Sequence, residues 1–71
     1  MFGVEKAKKM KYIGSNEKTE LKNGEIYPVV IEHHFFSKRL TAWIFLPQTE
    51  QVITRLYKNR YYLSLNWRGE E

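Results

Sequence analysis

Apolar and polar residues alternate along this chain in short bursts, each closed by a turn signal, and that rhythm belongs to β-strands. The clearest burst follows Leu21-Lys22-Asn23-Gly24. Asn-Gly is a strong turn signal, and the residues after it, Ile26, Tyr27, Val29, Val30 and Ile31, are β-branched or aromatic. A strand is predicted over residues 26–32, with Tyr27 and Val29 as core candidates. Pro28 has no N–H, so it belongs on a sheet edge or at a bulge. Further strands are predicted over 10–13, 40–46, 51–57 and 61–67. Gly14-Ser15-Asn16 stops the first, and residues 15–24 read as a long polar loop. Residues 33–39 read as a loop or crossover. Pro47-Gln48-Thr49-Glu50 is a four-residue turn with Pro well placed. Residues 58–60 form a three-residue connection, and residues 68–71 a frayed end.

Two strands carry distinct facial patterns. Over 61–67, Tyr61, Leu63, Leu65 and Trp67 share one face, and Tyr62, Ser64, Asn66 and Arg68 the other. Over 40–46 both faces are apolar, with Phe45 expected opposite Val52 and Ile44 opposite Ile53. If Trp43, Phe45, Val52 and Leu56 fill the core, then Leu40, Ala42, Ile44, Leu46 and Ile53 form a second apolar patch. Such a patch marks a protein interface, with Leu40, Ile44, Leu46 and Ile53 as its contact residues and a homodimer among its forms. Closure of a small barrel would instead bury both sets.

At 71 residues the chain is one domain, read as residues 10–71 behind a basic lead-in at 1–9. A helix over 4–11 is disfavoured. So short a chain buries only about 60% of its unfolded surface. There is no Cys to staple it, which fits a reducing compartment, so two Trp, five Tyr and four Phe take that part. No apolar run approaches the roughly 20 residues of a membrane span, and no apolar segment follows the first lysines as in a secretory leader. The expected location is cytoplasmic. Twelve basic residues against eight acidic ones give a net charge of +4, which permits a polyanionic partner.

Catalytic and metal chemistry find little footing. His33 and His34 are adjacent, so in extended chain they point apart and cannot chelate one ion together. There is no Cys, Asp or third His to complete a metal site. Glu5, Glu17, Glu20, Glu25, Glu32, Glu50, Glu70 and Glu71 fall mostly in turns and tails. Neither Ser15, Ser37 nor Ser64 stands at a spacing that suggests a nucleophile beside a base. The expectation is a non-enzymatic protein without cofactor or metal.

Binding is better served. Lys6, Lys8, Lys9 and Lys11 form the densest charge cluster, able to meet phosphates. Near the other end, Arg55, Lys58, Arg60 and Arg68 interleave with Tyr57 and Tyr62. Cations that neutralise phosphates beside rings that stack on bases are what a single-stranded nucleic acid requires. The leading expectation is nucleic-acid binding or a nucleoprotein-accessory role. The alternative is a protein-interaction module, an adaptor or inhibitor that docks through residues 40–53, or a homodimer.

Lys11-Tyr12-Ile13-Gly14 followed by Leu21-x-x-Gly24-x-x-Tyr27-x-Val29 resembles the start of small SH3-like proteins of Gram-positive bacteria and their phages. The resemblance covers about residues 10–32. It implies a five-stranded SH3-like barrel, with residues 58–60 as the short 3₁₀ turn before the last strand. It also implies a phage or mobile-element origin, and little about activity. Those proteins tend to end in acidic-aromatic segments, whereas this chain carries Asn66-Trp67-Arg68-Gly69. An OB-fold is the alternative architecture, but four residues at 47–50 leave no room for the helix it places between its third and fourth strands.

Overall fold

A computed structural model describes residues 2–18 and 20–69, with the side chain of Phe2 excepted. The expected fraying and the carboxylates at Glu70 and Glu71 lie outside the described residues. The chain forms β1 (Phe2–Val4), β2 (Lys8–Tyr12), β3 (Ile26–His34), β4 (Arg39–Leu46), β5 (Gln51–Tyr57), α1 (Arg60–Asn66) and β6 (Trp67–Gly69). All strand pairs are antiparallel. They make one sheet in the order β5-β4-β3-β2-β6, with β1 on the same flank of β3 as β2. The protein is mostly β, as the alternation predicts.

Local chemistry explains the turns. Gly24 stands at φ +89°, where a Cβ is strained, and its N–H donates to Tyr12 O at 2.7 Å. The Pro47–Glu50 turn returns the chain so that Phe45 faces Val52 and Ile44 faces Ile53. Residues 33–34 extend β3, and the β3–β4 turn is tighter than the expected loop. The lead-in also joins the sheet. Val4 pairs with Glu32, and the Glu5 N–H donates to Ile31 O at 2.8 Å.

The predicted strand over 61–67 is a helix through residue 66. Asn59 caps it, its side-chain oxygen accepting from the Tyr62 N–H at 3.2 Å. The pattern misled because Leu63 and Trp67, four apart, share a face in both periodicities. Both are buried here, whereas Tyr61 and Leu65, which only a strand would bury, stand exposed.

The two faces of β4 are the reverse of the reading that put Trp43 and Phe45 inside. Leu40, Ala42, Ile44 and Leu46 are buried, and Ile53 packs against them. These residues are core, so Leu40, Ile44, Leu46 and Ile53 offer no protein-docking patch. Tyr27, Val29 and Ile31 from β3, Met10 and Tyr12 from β2, Leu21 from the long loop, Leu63 and Trp67 complete the core. Trp43, Phe45, Val52 and Leu56 face outward. The reason is register: Val29 pairs with Ile44 and Ile31 with Ala42, which puts the even-numbered residues of β4 on the inner face.

The described sheet has no ladder between its outermost strands, β5 and β6. One side-chain bond spans that seam, and a second set ties β5 to the long loop. Trp67 Nε1 donates to the Tyr57 hydroxyl at 2.9 Å. Arg55 Nη2 reaches back to Glu17 and Glu20 of the long loop, at 2.6 Å each. The loop is pinned beneath by two buried rings. The Lys22 N–H donates to Tyr27 Oη at 3.0 Å, and Tyr12 Oη donates to Ser15 O at 2.9 Å.

Candidate nucleic-acid interface

The residues read from sequence as one basic and aromatic surface do not assemble, since the strand meant to display them is α1. Arg55 points inward and is committed to Glu17 and Glu20, which hold its guanidinium firmly charged despite partial burial. Tyr57 is half-buried against the core, and that burial raises its hydroxyl above the ordinary value. Arg60 is paired with Glu5. Tyr62 lies on α1, its ring edge-on to Tyr61 with centroids 5.5 Å apart. Lys58 is exposed beside the start of the helix. Arg68 alone of the six lies on the outer face of the sheet.

The N-terminal lysines also separate. Lys8 is bound to Glu5 at 3.1 Å, and Lys6 lies in the link between β1 and β2. Lys9 and Lys11 project from the outer face of β2, because Met10 and Tyr12 between and beyond them are buried.

Register brings a different set together. Lys11 pairs with Arg68 of β6 on one side and with Ile26 of β3 on the other. Directly opposed positions put Cβ atoms about 5 Å apart, and like charges there repel. Among the described residues neither cation has a carboxylate partner, and neither has Lys9. Beside this cationic flank the outer face turns apolar. Lys9 pairs with Pro28, and Val30 pairs with Trp43. Trp43 is 44% exposed and Phe45 37%. Trp43 Nε1 donates to Glu32 Oε1 at 3.2 Å, which fixes the ring's tilt. Sequence reasoning missed Trp43 and Phe45 as surface residues. Their face of β4 also carries Arg39 and Thr41, whereas the opposite set of four is wholly apolar, and that contrast was the available signal.

A second cluster sits at the far end of β3. Glu5 meets His33 Nε2 at 2.5 Å and also binds Lys8 and Arg60. His34 points the other way, to Thr41 Oγ1 at 3.0 Å, so the two histidines diverge as extended chain requires. Among the described residues no three His, Cys, Asp or Glu group as a metal site would need. Partial burial works to raise the Glu5 pKa, but the hydrogen bonds from His33, Lys8 and Arg60 outweigh it and hold the carboxyl at about 2, below its ordinary 4.5. A depressed carboxyl adds stability above its unfolded pKa and loses it as pH falls through the folded one. Glu5 is a quarter exposed, so solvent screening leaves about 1–2 kcal/mol. Urea melts at a series of pH values are expected to show the native chain losing that much more than Glu5→Gln between pH 4.5 and 2. Parallel curves would mean that the cluster adds nothing to folding.

Among the described residues, no helix is long and apolar enough to cross a membrane. No protein-family model, curated protein or solved structure matches the chain.

Proposed function

We propose that this chain is a small non-enzymatic module that binds single-stranded nucleic acid on the outer face of its sheet. Lys9, Lys11 and Arg68 contact phosphates, and Trp43 and Phe45 stack on bases. The observation that carries the reading is the Lys11–Arg68 pair. Two cations directly opposed across β2 and β6 repel each other, and a phosphate between them removes that repulsion. β4, which carries Trp43 and Phe45, lies two strands from β2 and three from β6, about 10 and about 14 Å across the sheet. One strand of nucleic acid can therefore meet the charges and the rings together. Duplex bases, already stacked on each other, offer no such faces.

The architecture we infer is SH3-like. The path β6-β2-β3-β4-β5, with its short helix before the last strand, follows the order of that barrel, and the side-chain seam stands in for full closure. An OB-like barrel would carry its helix one connection earlier.

The test is a fluorescence titration with labelled oligo-dT and the matching duplex. Single-strand affinity is expected to fall with salt at a log–log slope of about −2, from three phosphate contacts. Binding indifferent to salt, or stronger for duplex, would remove the proposal.

A second reading rests on β5, where Val52 and Leu56 are 59% and 73% exposed on the same face. Aliphatic groups do not stack on bases, and a protein partner would cover them. Light scattering over a range of concentrations distinguishes self-association from a monomer that binds DNA.

A further inference from the structure

A cleft of about 330 Å³ opens between the β3–β4 turn and the start of α1, well away from the Lys11–Arg68 flank. Lys38 enters from the turn and Arg39 from the start of β4, and Asn59 and Arg60 from the cap and first residue of the helix. The backbone holds these groups in place. Lys38 stands at φ 62°, a strained position for a side chain, and its N–H donates to His34 O at 2.7 Å. Arg60 is anchored by Glu5, which also holds His33. The His33 ring in turn lies against Phe35, with centroids 6.4 Å apart and planes 11° from parallel.

Two of the three cations of this cleft are uncompensated. Glu5, the carboxylate beside Arg60, already serves Lys8, Arg60 and the His33 ring. Lys38 and Arg39 have no carboxylate partner among the described residues. Phe35 gives an exposed apolar wall. The volume lies at the small end of ligand cavities, at about 300–1,000 Å³, and suits one nucleotide unit rather than a run of them.

We propose that this cleft binds a phosphate monoester carried on an aromatic base. The dianion sits between Lys38 and Arg39, with Arg60 behind it, and the base lies on Phe35. Arginine suits such a group because its planar fork donates two parallel hydrogen bonds to phosphate oxygens. The same chemistry occurs in a free nucleoside monophosphate and at the phosphorylated 5′ end of a strand. The inference does not depend on the sheet-face proposal, since it uses other residues.

The test is an amide chemical-shift titration at constant ionic strength with AMP, adenosine, and 5′-phosphorylated and unphosphorylated oligo-dT. AMP is expected to shift the amides of residues 34–40 and 59–60 saturably, and adenosine to leave them still. Lys38→Gln with Arg39→Gln is expected to weaken AMP binding at least about tenfold at an unchanged melting temperature, and Lys38→Arg to keep it. If the phosphorylated oligonucleotide displaces AMP from these amides, the source is a strand end. If it does not, the source is a free nucleotide. Equal response to AMP and adenosine, or AMP binding undiminished in the double variant, would overturn the proposal. Oligo-dT binding at Lys9 and Lys11 that survives the double variant keeps the two sites separate.

Discussion

Trp67→Ala is expected to leave the protein largely unfolded at room temperature. The Trp67 ring is buried with its centroid 5.1 Å from that of Tyr12 and 6.0 Å from that of Tyr27, in tilted and edge-on contact. Removing a buried Trp side chain costs about 3–5 kcal/mol through lost transfer energy and the cavity left behind. A chain of this length has only about 4–10 kcal/mol in total. The loss also cuts the bond to Tyr57 across the seam, so β5 and β6 are released together. Circular dichroism should show a melting midpoint lowered by at least about 15 °C, or no folded baseline at all. Trp67→Phe keeps most of the ring and forfeits the N–H donor, at about 1–2 kcal/mol. A Trp67→Ala protein that melts within a few degrees of the native one would contradict the core described here.

Trp43→Ala combined with Phe45→Ala is expected to reduce single-stranded DNA affinity by about thirtyfold or more, since base stacking on a ring contributes about 1–3 kcal/mol each. Stability should hardly move, because both side chains are substantially exposed. That separation makes the result decisive. A double variant that melts as before yet binds as before would place nucleic acid elsewhere or nowhere. Lys11→Gln with Arg68→Gln acts on the other half of the surface. It is expected to flatten the salt dependence by about 1.4 units of slope. It should also raise the melting temperature slightly, since two opposed cations are relieved.

Four strands and the turns at 23–24 and 47–50 were legible in the sequence because their signals are local. Asn23-Gly24 and Pro47 each set a turn through their own backbone limits, and β5 begins and ends at the predicted residues. The helix over α1 was legible only in part. Asn59 is a good cap, but a seven-residue helix is too short to show its own period, and Leu63 with Trp67 satisfies either one. The orientation of β4 depended on pairing. Aromatic Trp43 and Phe45 are the larger hydrophobes, yet the wholly apolar set Leu40, Ala42, Ile44 and Leu46 takes the inside, because β3 presents Val29 and Ile31 to that face. No local rule gives a register between strands. The same limit hid Arg55, whose partners Glu17 and Glu20 lie more than thirty residues away in a loop with no period of its own. Arg68 was singled out early for an outward face, and its register with Lys11 supplies the partner that the sequence left unstated.

The way β5 is tied to β6 and to the long loop also bears on how this architecture can vary. Ladder bonds belong to the backbone, and nearly any residue can make them. A hydroxyl on an indole and a guanidinium between two carboxylates are different, since one codon can delete either. The tightness of this small β fold is therefore written in replaceable side chains, and looser or firmer versions of it lie a single substitution apart.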